Sequence, residues 1–206
     1  NSALVDDTNR IDGFSTTSSI FTDFLGSTID SASYADGIHV FKIAPSFQEL
    51  VQGMDYDVRP STVITTRPRL LIQPLRPLDP GSTYAVVLTD SLRTVSGGPV
   101  IPGEEFLITA SPDDVGSDEN PATRFNATQQ ATLAQIRAGL IRPIFNCLSA
   151  PPTGPDPTPG IDPDNVVLTW SFTTPSVGES LRYLANNPTP GPIGIAPAPD
   201  GMGGQL

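Results

Sequence analysis

The sequence predicts a mainly β fold, two antiparallel sheets packed face to face, and three observations carry that expectation. Residues 70–110 read as strand, turn, strand, turn, strand, with Pro80-Gly81 and Gly97-Gly98-Pro99 as the reversals. Residues 166–174, VVLTWSFTT, answer them with the clearest alternating segment of the chain. There are also 23 prolines and 18 glycines among 206 residues, a fifth of the chain, which fits a turn-rich β protein with few helices. The class these features describe is an immunoglobulin-like β-sandwich with a helical insertion before the last strand and a short C-terminal helix.

Each element has its own justification. Residues 1–36 are rich in Ser, Thr and Asp, with Phe14, Phe21, Phe24 and Tyr34 scattered through them. Residues 37–43 then alternate, Ile38, Val40 and Lys42 opposite His39, Phe41 and Ile43, as a strand does. A shorter extended candidate follows at 63–66. Residues 70–73 form a strand that Pro74 stops, because proline lacks the amide a ladder needs. Pro80 presets φ for a turn and Gly81 takes the positive φ that a type II turn requires. Tyr84, Val86 and Leu88 alternate with Ala85, Val87 and Thr89, which places one set toward a core. A third strand is expected after Gly97-Gly98-Pro99, ending near Ala110.

The acidic loop 111–121 reads as too polar to pack. Beyond it, Leu133, Ile136, Leu140, Ile144 and Leu148 recur at three and four, the spacing of a helical stripe. Asn126 suits the N-cap, since its side-chain oxygen can accept from an orphan amide of the first turn. Pro143 removes a backbone bond and crowds the preceding turn, so it is expected to kink or divide the helix. The Pro-rich stretch 151–165 is a stiff connection. In the closing strand Val166, Leu168, Trp170 and Phe172 share one face and Val167, Thr169, Ser171 and Thr173 the other, with Trp170 expected between the sheets. Residues 180–187 fit a short helix. The expected organisation is one domain over 1–186, with its helical insertion at about 126–149, and a Pro/Gly-rich linker over 187–206 leading to something beyond it.

Composition bounds the partners. Apolar residues make up 37% of the chain before glycine is counted, enough for a globular core in 206 residues. A net charge of -11, with one lysine, Lys42, and ten scattered arginines, argues against nucleic acid and against anionic membrane surfaces, both of which call for a basic patch. The acidity fits solubility in an extracytoplasmic setting, or ordinary surface charge. One cysteine, Cys147, excludes an internal disulfide, and its apolar neighbours favour a buried structural thiol over a nucleophile. No run of 18 apolar residues is present to span a membrane. Residues 1–10 have neither the basic start nor the apolar stretch of a signal peptide, and the reading is of a processed or cut-down chain.

Candidate chemistry is sparse. Gly13-Phe14-Ser15-Thr16-Thr17 has half of a G-x-S-x-G nucleophile elbow, but Thr17 stands where the second glycine belongs. His39 is the one histidine, which limits nucleophilic catalysis to a conceivable Ser15, His39 and Asp triad, set against a capped turn and a strand histidine as the favoured reading. Asp156, Asp162, Asp164 and Asn165, and separately Asp113, Asp114, Asp118 and Glu119, resemble calcium loops in composition while lacking the EF-hand spacing; solvated loops explain both. Zinc has too few Cys and His, and no Gly-rich phosphate cradle appears. Asn126-Ala127-Thr128 is formally a glycosylation sequon, although the helix cap already accounts for Asn126. Tyr56, Tyr84 and Tyr183 are expected in the core, so they offer no aromatic platform. No catalytic, cofactor-binding or metal-ligating residue is assigned.

Residues 11–24 (IDGFSTTSSIFTDF), the run LLIQPLRPLDPGSTYAVVLTDSLRTVSGGPV, the helix LAQIRAGLIRPIF and the closing VVLTWSFTT together resemble, in that order, the N-terminal domain of the bacterial virulence-factor lipase family. The resemblance covers about residues 3–185, and DGFSTT is its most specific part. It implies an Ig-like accessory domain preceding an α/β-hydrolase domain in an extracellular or outer-membrane lipase. The family's catalytic residues lie in that hydrolase domain, and none has a counterpart here. The resemblance thus implies a non-catalytic part of a lipase or esterase, whose partner is its own C-terminal hydrolase domain and, through the parent protein, lipid or a cell surface. The helical stripe is then either the surface for the hydrolase or a stripe packed on its own sheet. The other expectations are a stand-alone Ig-like adhesion or surface-binding module and a small hydrolase using Ser15 and His39.

Overall fold

A computed structural model describes residues 13–61, 67–149 and 160–176. Among them seven strands form two antiparallel sheets. Strands β1 (Ile20–Asp23), β5 (Arg69–Pro74) and β4 (Tyr56–Pro60) lie in that order in one sheet. Strands β3 (Gln48–Leu50), β2 (Ile38–Ala44), β6 (Thr83–Thr89) and β7 (Val166–Thr173) make the other. The expected strands at 37–43, 70–73 and 84–89 and the closing strand are present. The short strands β1 and β3, which carry no clean alternation, and β4, where only Tyr56 and Val58 alternate with Asp57 and Arg59, were not expected from the sequence. The extended candidate at 63–66, the helix at 180–187 and the linker lie outside the described residues.

Alternation puts the core between the sheets. Ile38 and Val40 of β2, Tyr84, Val86 and Leu88 of β6, Leu70 and Ile72 of β5, and Tyr56 and Val58 of β4 form one buried cluster. Tyr56 ties the sheets together, its hydroxyl donating to the Ile38 carbonyl at 3.0 Å. Trp170 and Phe172 are half-buried against the same cluster, as expected of the closing strand. Val166 is the exception. The ladder shifts register between Leu88 and Thr89, and this irregularity turns Val166 to the opposite face while Val167 joins the inter-sheet core.

The expectation that only one side of β6 meets a core is corrected. Ala85 and Val87 are fully buried too, with Phe41 of β2, because helices cover that face. Residues 104–110 are one of those helices, α1 (Glu104–Ala110), where a third strand was expected. Phe-Leu-Ile-Thr favours strand, but the place beside β6 is filled by β7. Glu104 and Glu105 in the first turn favour the helix N-terminus, and the helix buries Phe106 and Ile108. Helix α2 (Ala127–Ile136) begins at Asn126 in a reciprocal capping box with Gln129, both bonds 3.0 Å. Helix α3 is Arg142–Ser149.

The segment divides just before Pro143, through a π-turn, Arg137–Ile141, in which the Arg142 amide donates five residues back to Arg137. A wider turn carries one extra residue, so the stripe slips by one. Ile141, Ile144, Phe145 and Leu148 pack on the sheet, whereas Ile136 and Leu140 are 39% and 37% exposed. The stripe therefore packs on its own sheet.

The loop at 111–121 is better anchored than its polarity implies. Asn120 is buried with its amide donating to the Ile108 and Asp113 carbonyls and its oxygen accepting from Ala122. Arg137 and Arg142 both donate to the Ser111 and Pro112 carbonyls. Leu133, Ile108 and Ala122 make a small third cluster there, with Val115 and Phe125 against it.

Candidate functional site

Ser15 and His39 do not meet. Ser15 is exposed, and its hydroxyl accepts from the Thr17 and Ser18 amides at 3.3 and 3.2 Å, a side-chain-closed turn. His39 lies in β2, its Nδ1 3.2 Å from Glu49 Oε1 and its Nε2 3.3 Å from the Asp36 carbonyl oxygen. Both ring nitrogens have partners, and neither partner is a nucleophile.

The segment around Ser15 has a structural role instead. A Cβ on Gly13 would sit 2.6 Å from Pro175 N and 2.7 Å from the Thr173 carbonyl oxygen, so only glycine fits there. Phe14 donates its amide to Thr173 at 2.7 Å and sets its ring 4.8 Å from that of Phe172. The Thr16 carbonyl accepts from Leu78, and the Thr17 carbonyl from the Gln73 side chain. Thr174, buried at the end of the closing strand, donates to Asp79 at 2.6 Å and accepts from Ser82. Residues 13–17 thus clasp the end of β7 to β5 and the turn before β6.

The acidic candidates do not converge. Asp114 pairs with Arg137, Asp118 and Glu119 are exposed, and Asp162 caps a single turn by accepting from the Asp164 amide at 3.0 Å. Asp156 lies outside the described residues. Among the described residues no group of three or more His, Cys, Asp and Glu is disposed to hold a metal ion. Cys147 is half-buried on α3, and burial pushes its thiol up, away from the reactive thiolate. No described helix is long and apolar enough to cross a membrane.

One feature sequence reasoning missed is an apolar groove of about 490 Å³ where β1 and β7 bound the open side of the sandwich. After β1 the chain crosses toward residues 93–95, with Asp30 donating to Arg93 and Val95 to Thr28. Gly97, at φ 81°, turns it back so that Arg93 and Pro99 pair. The crossing supplies Phe24, Leu25 and Ile29; the return supplies Val100 and Ile101; α1 supplies Phe106 and Glu105. Val167 and Leu168 of β7 form the floor. Leu25 and Ile101 stand 86% and 80% exposed at its rim. Their signal in the sequence is large aliphatic residues inside turn-rich segments, which alternation does not detect. Asp23 also lines the groove, and the Arg69 guanidinium, 2.8 Å away through Nη2, holds its carboxyl below the usual carboxylate range.

Comparison with family models and with curated proteins finds no match to this chain.

Proposed function

We propose that this chain is a non-catalytic, immunoglobulin-like accessory domain of a secreted or outer-membrane bacterial lipase or esterase, supporting or orienting a downstream α/β-hydrolase domain. The observation that carries the reading is the role of the DGFSTT element. Its serine closes a turn and its glycine and phenylalanine clamp β7, so the element most specific to the resemblance serves architecture rather than chemistry. Strand order supports the Ig-like part. The orders β1-β5-β4 and β3-β2-β6-β7 correspond to B-E-D and C′-C-F-G of a sandwich of that type, with α1 to α3 between F and G. Because the helical stripe packs on its own sheet, the surface offered to a hydrolase domain lies elsewhere on the body.

The groove favours a second reading, a stand-alone surface-binding module of the same fold, since exposed apolar area rimmed by polar groups marks a recognition surface. The coding sequence after Leu206 separates the two. A reading frame that continues into a G-x-S-x-G elbow with downstream Asp and His supports the accessory domain. A stop codon directly after Leu206 refutes it in favour of the binding module.

A further inference from the structure

The three other sheet edges are short or guarded. β3 has three residues including Glu49, β1 has four ending in Asp23, and β4 carries Asp57 and Arg59 and ends at Pro60. Short strands, charges and proline are the devices that keep an edge from pairing. β7 has none of them: eight residues, no charge and no proline. Among the described residues no strand pairs with its outer edge. The Thr173 carbonyl points outward to Phe14, and the Thr174 amide points inward to Ser82. Backbone direction alternates along a strand, so Ser171 and Thr169 present their amides and carbonyls outward with Thr173. At one end of this edge Gly13 and Phe14 sit against the chain; at the other lies the apolar groove.

We propose that the β7 edge and its groove bind an extended segment of a partner polypeptide by strand addition, the partner carrying apolar side chains at alternate positions and a lysine or arginine at the groove end. Edge groups with no partner among the described residues call for a strand, because a purely apolar ligand would fill the groove and leave the outward Thr169 and Ser171 backbone groups unmatched among those residues. Charge selects the basic residue: the charged groups lining the groove are both carboxylates, and while Asp23 is paired with Arg69, Glu105 is exposed with no ion partner among the described residues. The net charge of -11 acts in the same direction at long range. This proposal does not depend on the lipase reading.

The test uses the full chain and a capped peptide probe, acetyl-Lys-Val-Thr-Val-Thr-Val-Thr-Lys-amide. Binding is followed by amide NMR and hydrogen exchange. Saturable shifts centred on Thr169, Ser171 and the groove, with new protection of those two amides, are expected. Ser171→Pro, which removes an amide not used toward β6, should abolish binding, and Glu105→Gln should weaken it about two- to fivefold at low salt. Should Ser171→Pro disturb folding, the same peptide N-methylated at alternate residues replaces it, and it too must fail to bind. Four results overturn the proposal. One is no saturation at millimolar peptide, and a second is equal binding of the N-methylated peptide. A third is protection of Thr169 and Ser171 in the free chain, whether from its own termini or a second copy. The fourth is binding of dodecanol in the groove where the peptide gives none.

Discussion

Tyr56 shows how one side chain couples the two sheets. It rises from β4 through the core to the Ile38 carbonyl, and burial pushes its phenol well above the ordinary tyrosine range; burial also raises those of Tyr34 and Tyr84. The sign follows from linkage. In the unfolded chain these phenols ionise near pH 10, while in the fold they stay neutral. Their stabilisation is therefore intact below about pH 10 and lost as pH rises through the raised values. Urea midpoints should fall steeply above pH 10. Tyr56→Phe should cost about 1 kcal/mol at neutral pH through the lost hydrogen bond, and should soften that alkaline decline. Gly13 makes the matching point for backbone. Its missing Cβ is what allows the approach to Thr173 and Pro175, both backbone neighbours that cannot swing aside. Gly13→Ala should destabilise by about 1–3 kcal/mol in urea unfolding, the range of an overpacked site.

Among the elements, legibility followed how regularly large apolar residues recur at every second position. β2 and the closing strand could be read because Ile38, Val40, Trp170 and Phe172 recur at every second position toward the inter-sheet core. β3 was too short to show a period and β4 alternates only over Tyr56 to Arg59, so Leu50, Tyr56 and Val58 mean little until β2 and β5 are beside them. Residues 104–110 misled because local β propensity yields to tertiary packing once β7 takes the neighbouring place. The helical stripe was right in kind and wrong in register, since a π-turn is invisible to a period of 3.6. Two adjacent leucine-like residues test that shift. Ile141→Ala, which empties a buried contact on the sheet, should cost about 2–5 kcal/mol, and Leu140→Ala, on the exposed side, less than about 1 kcal/mol. Thermal or urea unfolding distinguishes them; equal costs would restore the unshifted stripe.

For the whole molecule, the described body is three layers, with the four-stranded sheet in the middle and covered on both faces. Phe41, Ala85 and Val87 have no exposure at all and depend on α1 and α3 for it. Replacing residues 104–149 by a short Gly/Ser loop should therefore expose an apolar sheet face, giving strong binding of a hydrophobic dye and loss of cooperative unfolding. A decorative insertion on a complete two-layer sandwich would leave both unchanged. The candidate site was less legible than the fold, because Ser15 and His39 stand out in sequence while their partners, Thr17, Ser18, Glu49 and Asp36, are set by turns and by strand pairing. The groove was hidden for the opposite reason: Leu25 and Ile101 look like ordinary loop residues until β7 lies between them and the core. The most direct test of a scaffold without chemistry of its own is hydrolysis of p-nitrophenyl butyrate by the purified chain beside Ser15→Ala. The expected result is no rate above buffer for either protein, and saturable turnover that disappears in a folded Ser15→Ala would contradict the account.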